Sequence, residues 1–301
     1  MAFIHNYSTI SRGDTFNKGV LYSCMSTNNE VLFPNYKENI PGINLRRVST
    51  IVKMGLANTL KCLGNKKTDA IVIGTGLGSI HNSELFLSSY IDSNQHILSP
   101  TPFINSVHNT ISGEVALHTQ SKGYNSTYSQ GGLSFEGAVM DTILLTKERK
   151  QVILGSVDES TPTLDTILQK MNIQHLFDTG SSFFYCTDNK KKSLAEITHC
   201  IISTKNKIKS ILFDLKFNIN EDYIISGNSS CYPMNLDTFD YSKFCGIYMT
   251  NPSFGMQLAI EILNSSTSTC IDGYNFPDQC KRIFIINHAS KTDIGIIIIK
   301  K

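Results

Sequence analysis

The chain reads as an α/β protein: stretches with helical apolar spacing alternate with short β-branched runs, and glycines stand where strands hand over to helices. Three helix–strand pairs follow one another between residues 45 and 157, and the second half repeats the same parts less regularly. At 301 residues the chain suits one large domain or two fused halves.

The first pair opens with apolar residues at 45, 48, 51, 52, 56, 60 and 63, which predict an amphipathic helix over Leu45–Leu63 closed by Gly64. Ala70-Ile-Val-Ile73 then runs straight into Gly74-Thr-Gly-Leu-Gly78, the pattern of a buried strand delivering a tight loop. A second helix is expected over about Asn105–Thr119, with Ile104, Val107, Ile111 and Val115 on one face. Lys122–Ser129 reads as the next strand, Gln130–Ser134 as a sharp turn, and Phe135 to about Lys147 as a helix. Val152–Val157 closes the unit as another buried strand.

In the second half, Ser182–Cys186 and Glu196–Ile202 flank the basic stretch Thr187–Lys192 and predict a hairpin with the Lys190–Lys192 run at its solvated tip. Tyr223–Gly227 reads as a strand ending in a loop. Asn251 as cap and Pro252 at the first position predict a helix entry, with an apolar face from Phe254 to Leu263. Arg282–Ile286 and Ile294–Ile299 bracket a terminal hairpin.

Composition excludes several classes. A net charge of +2 with 17 % charged residues lacks the basic excess of a nucleic-acid-binding protein. No apolar run approaches the roughly 18 residues that cross a bilayer, and the N-terminus has no leader pattern. Eight scattered cysteines without a C-x-x-C pair point to reduced thiols in the cytoplasm and to no metal site. Gly74, Gly76 and Gly78 invite a dinucleotide-binding reading, but Ser79 stands where that fingerprint needs glycine, so no cofactor is expected.

The strand–turn–helix over Asn125–Glu136 is the element most able to carry chemistry, because a nucleophile there would sit near helix N-terminal amides. It holds no cysteine. Ser129 or Ser134 would have to serve, with His108 as the nearby candidate base.

The block from Ser99-Pro-Thr-Pro-Phe-Ile-Asn-Ser-Val-His108 through Gly123-Tyr-Asn-Ser-Thr-Tyr-Ser-Gln-Gly-Gly-Leu-Ser-Phe-Glu136 resembles β-ketoacyl synthases of the thiolase fold. More closely, it is similar to the short synthase-like proteins of aryl-polyene and flexirubin-type pigment pathways. The resemblance continues at Gly74–Gly78, Gly155-Ser-Val-Asp-Glu159 and Cys245-Gly-Ile-Tyr-Met-Thr-Asn-Pro-Ser-Phe-Gly255. It implies two related α/β halves in a five-layer α-β-α-β-α arrangement, here an N-terminal half over 1–161 and a shortened C-terminal half over 162–301.

Active members join a nucleophilic cysteine to two histidines. The resemblance places the cysteine position at Ser129, by matching the motif, or at Gly132, by counting without gaps, with Ser129 preferred; the histidine positions fall at Gly227 and Ile247. All three look substituted. The implied function is a chain-length-factor-like subunit without catalysis, pairing with an active synthase or with itself, with an acyl carrier protein as a further implied partner; Gln130 is at most a lining residue. The alternative is an acyltransferase or hydrolase on the same fold, using a serine nucleophile.

Overall fold

A computed structural model describes residues 1–25, 30–92, 99–173, 177–227, 238–276 and 280–301. The first half comprises β1 (Ala2–Ile10), α1 (Thr15–Lys18), α2 (Val20–Cys24), α3 (Tyr36–Asn39), α4 (Thr50–Leu63), β2 (Ala70–Gly74), α5 (Ile80–Asp92), α6 (Pro100–Ser106), α7 (Thr110–Thr119), β3 (Tyr124–Tyr128), α8 (Ser134–Lys147), β4 (Val152–Asp158), α9 (Pro162–Lys170) and β5 (Gly180–Thr187). The second comprises β6 (Ala195–Thr204), α10 (Ile208–Asp214), β7 (Asp222–Ser226), β8 (Thr238–Asp240), α11 (Ser242–Cys245), α12 (Pro252–Asn264), the small pair β9 (Thr269–Ile271) and β10 (Tyr274–Phe276), β11 (Arg282–His288) and β12 (Asp293–Lys300).

The strand order β3-β2-β4-β5-β1-β6-β12-β11-β7-β8 is a duplication written in the backbone. Reading outward from the centre, each half runs first strand, fifth, fourth, second, third. The halves meet where Ala2–Ile4 pair antiparallel with Ala195–Ile197. The mirrored order pivots between β1 and β6, and the expected division at 161/162 falls in the connection between β4 and α9.

Packing sorts these elements into five layers. The largest core gathers α8 (Phe135, Ala138, Val139) and α12 (Phe254, Leu258, Ile262) with strand residues of both halves, so these two helices are the middle layer. A second core packs α4 and α7 on the outer face of the first half's strands, through Met54, Leu56, Ile111 and Val115 against Ile71, Ile73 and Phe183. A third packs α10, through Ile208 and Leu212, on the outer face of the second half's strands against Phe284, Ile296 and Ile298.

Four expectations need correction. Ser182–Cys186 and the strand after it form no hairpin, because β1 lies between β5 and β6 and pairs with both. The sequence hid β1: its Ser8 and Thr9 are buried, and they are satisfied by hydrogen bonds to Asn58, Ser182 and Gln257 rather than by an apolar face. The helix expected from Leu45 begins at Thr50, after a short 3-10 turn over Leu45–Arg47. The helix expected over Asn105–Thr119 is broken into α6 and α7, and while Ile111 and Val115 are buried, Ile104 and Val107 are exposed. Pro252 does open α12, but Asn251 makes no side-chain cap; its amide instead reaches the Gly246 carbonyl at 3.4 Å.

Candidate functional site

A cavity of about 180 Å³ opens between the halves, where the residues that follow β3, β7 and β11 come together. Gly132, Gly227 and Ile247, three positions singled out from the sequence, line it together with Phe177, Tyr248, Met249, Asn251 and the turn Asn287–Ala289. Ser129 is exposed beyond the end of β3 and lies outside this lining, whereas Gly132, the position given by the ungapped count, lies within it. The remainder of the β7 loop, residues 228–231, is outside the described residues.

Each of the three positions is held by its surroundings. The Gly132 carbonyl accepts from the Asn287 side-chain amide at 2.7 Å, and a Cβ there would stand 2.9 Å from the Ala289 carbonyl oxygen. At Gly227 a Cβ would meet the Asn251 amide oxygen at 2.7 Å and the Tyr241 ring at 3.0 Å. Ile247 is fixed through its backbone: its N–H donates to Asp178 Oδ2 at 3.1 Å, and its carbonyl accepts from the Asp178 N–H at 2.8 Å. Arg12 holds that carboxylate from the other side with three hydrogen bonds of 2.9–3.1 Å.

The buried carboxylates around the cavity serve as fasteners. Asp158, at the end of β4, accepts from the Thr75 hydroxyl (3.2 Å), the Gly76 N–H (2.8 Å) and both the N–H and hydroxyl of Thr250 (2.9 and 2.8 Å). It thereby ties the β2 loop to the residues entering α12. Burial raises its pKa, and these four hydrogen bonds oppose the rise. Glu136 on α8 is fully buried; desolvation lifts its pKa to about 7 against the hydrogen bond from Asn287. His288 is lowered to about 4, first by burial and then by the charge of Lys205.

The other candidates are not brought to the cavity. Ser134 is buried, and its hydroxyl accepts from the Gln130 N–H at 2.8 Å and donates to the Gly131 carbonyl at 2.7 Å, closing the turn before α8. Gln130 lays its side chain over Gly137, whose added Cβ would lie 3.1 Å from its oxygen. His108 packs on Gly78. No hydrogen bond among the described residues joins His108 to Ser129 or Ser134. The glycines of the β2 loop are places of close approach: Gly74 touches the backbone of α8, and Gly76 lies under Met249. Sequence reasoning passed over Phe177, Tyr248 and Met249, whose apolar character reads as ordinary core.

The fold is the thiolase-like fold of ketosynthases. The family model described as the β-ketoacyl synthase N-terminal domain matches residues 26–176, half of the chain, and the chain belongs to that family. No curated protein matches in sequence.

Solved structures do match along the whole length. The AntDE:AntF assembly, a type II PKS acyl-carrier protein in complex with its ketosynthase bound to the hexaketide, aligns at a TM-score of 0.77 and 11 % identity over 99 % of both chains. The ishigamide ketosynthase/chain length factor aligns at 0.73 and 13 % over 99 % of both chains. The ketosynthase ApeO in complex with its chain length factor ApeC, from Xenorhabdus doucetiae, aligns at 0.61 and 12 % over 100 % of this chain and 99 % of that one. Among the described residues no helix is long and apolar enough to cross a membrane.

Proposed function

We propose that this chain is a chain-length-factor-like partner of an active β-ketoacyl synthase, with no condensing activity of its own, working in the cytoplasm on a polyene or related acyl chain of the aryl-polyene or flexirubin type. The carrying observation is the convergence of Gly132, Gly227 and Ile247 on one cavity. Condensation needs a thiolate to hold the acyl group and two bases or donors to manage decarboxylation and the developing negative charge. Glycine, glycine and isoleucine offer none of these, and the contacts at the two glycines leave no space for replacements.

The partner's place is suggested by the edge at β3. Its outer side has no strand partner among the described residues, and apolar side chains crowd the helices beside it: Leu87 and Ile91 on α5, Phe103 and Ile104 on α6, Leu117 on α7 and Leu144 on α8 are all exposed. Exposed apolar side chains in this number suit an obligate interface of roughly 2,000 Å² or more. The experiment is co-expression with a cysteine-bearing β-ketoacyl synthase of the same organism. Co-elution as a 1:1 complex, whose activity is lost when this chain is omitted, is the expected result. Elution as a lone monomer, or an acyl adduct on this chain after incubation with acyl carrier protein thioesters, would overturn the reading, the second in favour of serine acyl transfer.

A further inference from the structure

The end of the sheet opposite the cavity carries a second concavity with different chemistry. Because β1 separates β5 from β6, the connection from Asp188 to Leu194 must step across the start of β1 rather than turn tightly; Leu194 N–H donates to the Ile4 carbonyl at 2.7 Å where it lands. This arch faces the segment that precedes β2 and the turn between α8 and β4. Together they enclose a cleft of about 490 Å³ lined by His5, Lys66, Arg149, Gln151, Tyr185, Thr187, Asp188, Asn189, Lys191 and Lys192.

Four cations from three separate chain segments line it against a single carboxylate, Asp188. Lys66, Arg149, Lys191 and Lys192 belong to none of the ion pairs formed among the described residues. The frame around them is ordered by neutral hydrogen bonds. His5 Nε2 and Thr187 Oγ1 are 2.9 Å apart, the Asn189 N–H donates to the same hydroxyl at 3.0 Å, and the Lys191 N–H donates to Asn189 Oδ1 at 2.9 Å. Tyr185 donates to Gln151 Oε1 at 2.5 Å and carries the Lys66 ammonium 4.5 Å above its ring. Burial, with the charge of Lys66 adding to it, keeps the His5 pKa below its ordinary value.

We infer that this cleft binds a small, multiply charged phosphate-bearing anion. Like charges converging without counter-ions repel one another, and a compact anion of several charges relieves that repulsion while drawing charge-assisted hydrogen bonds from ammonium and guanidinium groups. The concave shape and the volume favour a small molecule over the flat contact of an acidic protein. The Lys190–Lys192 run, read from sequence as a solvated tip, becomes one wall of a site.

Calorimetric titration of the full chain with inorganic pyrophosphate, at ionic strength held constant with sodium chloride, tests this. Saturable binding is expected, with orthophosphate weaker. The double variant Lys191→Gln/Lys192→Gln and the single variant Arg149→Gln, all at exposed positions, should weaken it by about tenfold or more for the double variant, while Lys216→Gln in a distant basic cleft should leave it unchanged. Absence of saturable heat, equal binding by wild type and double variant, or an equal response to sodium sulfate would overturn the proposal, as would binding of an acidic protein with none of pyrophosphate.

Discussion

Asn287 and Glu136 are joined through one side-chain nitrogen: Asn287 Nδ2 donates to Glu136 Oε1 at 2.8 Å and to the Gly132 carbonyl at 2.7 Å. The last strand turn of the second half is thus fastened to the first turn of α8, beneath the cavity. Glu136 Oε2 has no hydrogen-bond partner among the described residues, and the Cys200 thiol donates to the Glu136 carbonyl at 3.4 Å. Among the described residues no cation offsets the burial of this carboxylate, and desolvation raises its pKa to about 7.

That rise makes stability pH-dependent. A carboxyl that keeps its proton in the folded state up to about pH 7, but loses it near 4.5 when unfolded, leaves stability intact below pH 4.5 and erodes it as pH climbs to 7. The loss is about 3 kcal/mol. Glu136→Gln keeps an acceptor for Asn287 and removes the titration. The variant should melt higher than wild type at pH 8 and alike at pH 4.5, by calorimetry; a difference independent of pH would refute the buried-acid account.

Refilling of the cavity predicts that the family chemistry cannot be restored by substitution alone. Gly227→His would drive its Cβ to 2.7 Å from Asn251 and 3.0 Å from Tyr241, an overpacking that costs about 1–3 kcal/mol. The triple variant Gly132→Cys/Gly227→His/Ile247→His should therefore show a lowered melting temperature and no condensation of acyl and malonyl thioesters on acyl carrier protein. Even Gly227→Ala should be destabilised in denaturant titration, since its single added carbon meets the same atoms.

How far the residues alone reach is visible at these positions. The α/β alternation was legible because β2, β4 and β12 are continuous apolar runs, buried on both faces. β1 was not, because its polar centre is paid for by side-chain hydrogen bonds to residues 50 to 248 positions away. The site was half legible. Its glycines and Ile247 could be aligned to a family pattern, whereas the preference for Ser129 over Gly132 came from local motif matching. Local matching cannot see that Asn287, 155 positions away, holds Gly132 to the cavity. Tyr248, Met249 and Phe177 carry no signal that separates a cavity wall from core.

Asp158 tests whether the two halves are held at the cavity by one fastener. Asp158→Asn keeps the shape but turns an acceptor into an NH₂ group facing either the Gly76 N–H or the Thr250 N–H, so at least one buried donor loses its partner. The expected cost is about 1–3 kcal/mol, with faster amide exchange at both Gly76 and Thr250. Slower exchange at either amide, or unchanged stability, would show that these segments are held by packing alone.

The β3 edge makes the last prediction. Phe103 and Phe86 pack with ring centroids 5.1 Å apart, so α5 and α6 present their apolar residues as one unit, with Phe103, Ile104 and Leu117 each more than half exposed. Replacing Ile104 or Leu117 by Asp places a charge on a surface already in water, so the free chain should keep its stability within about 0.5 kcal/mol of wild type. Within an interface the same charge would be desolvated without a partner, and the assembly should weaken by 2 kcal/mol or more, roughly thirtyfold in dissociation constant. Sedimentation velocity of each variant, alone and mixed with the cognate synthase, separates the two effects. Unaltered assembly by both variants would move the interface away from β3, and a collapse of the free chain would mean that these side chains support the fold itself.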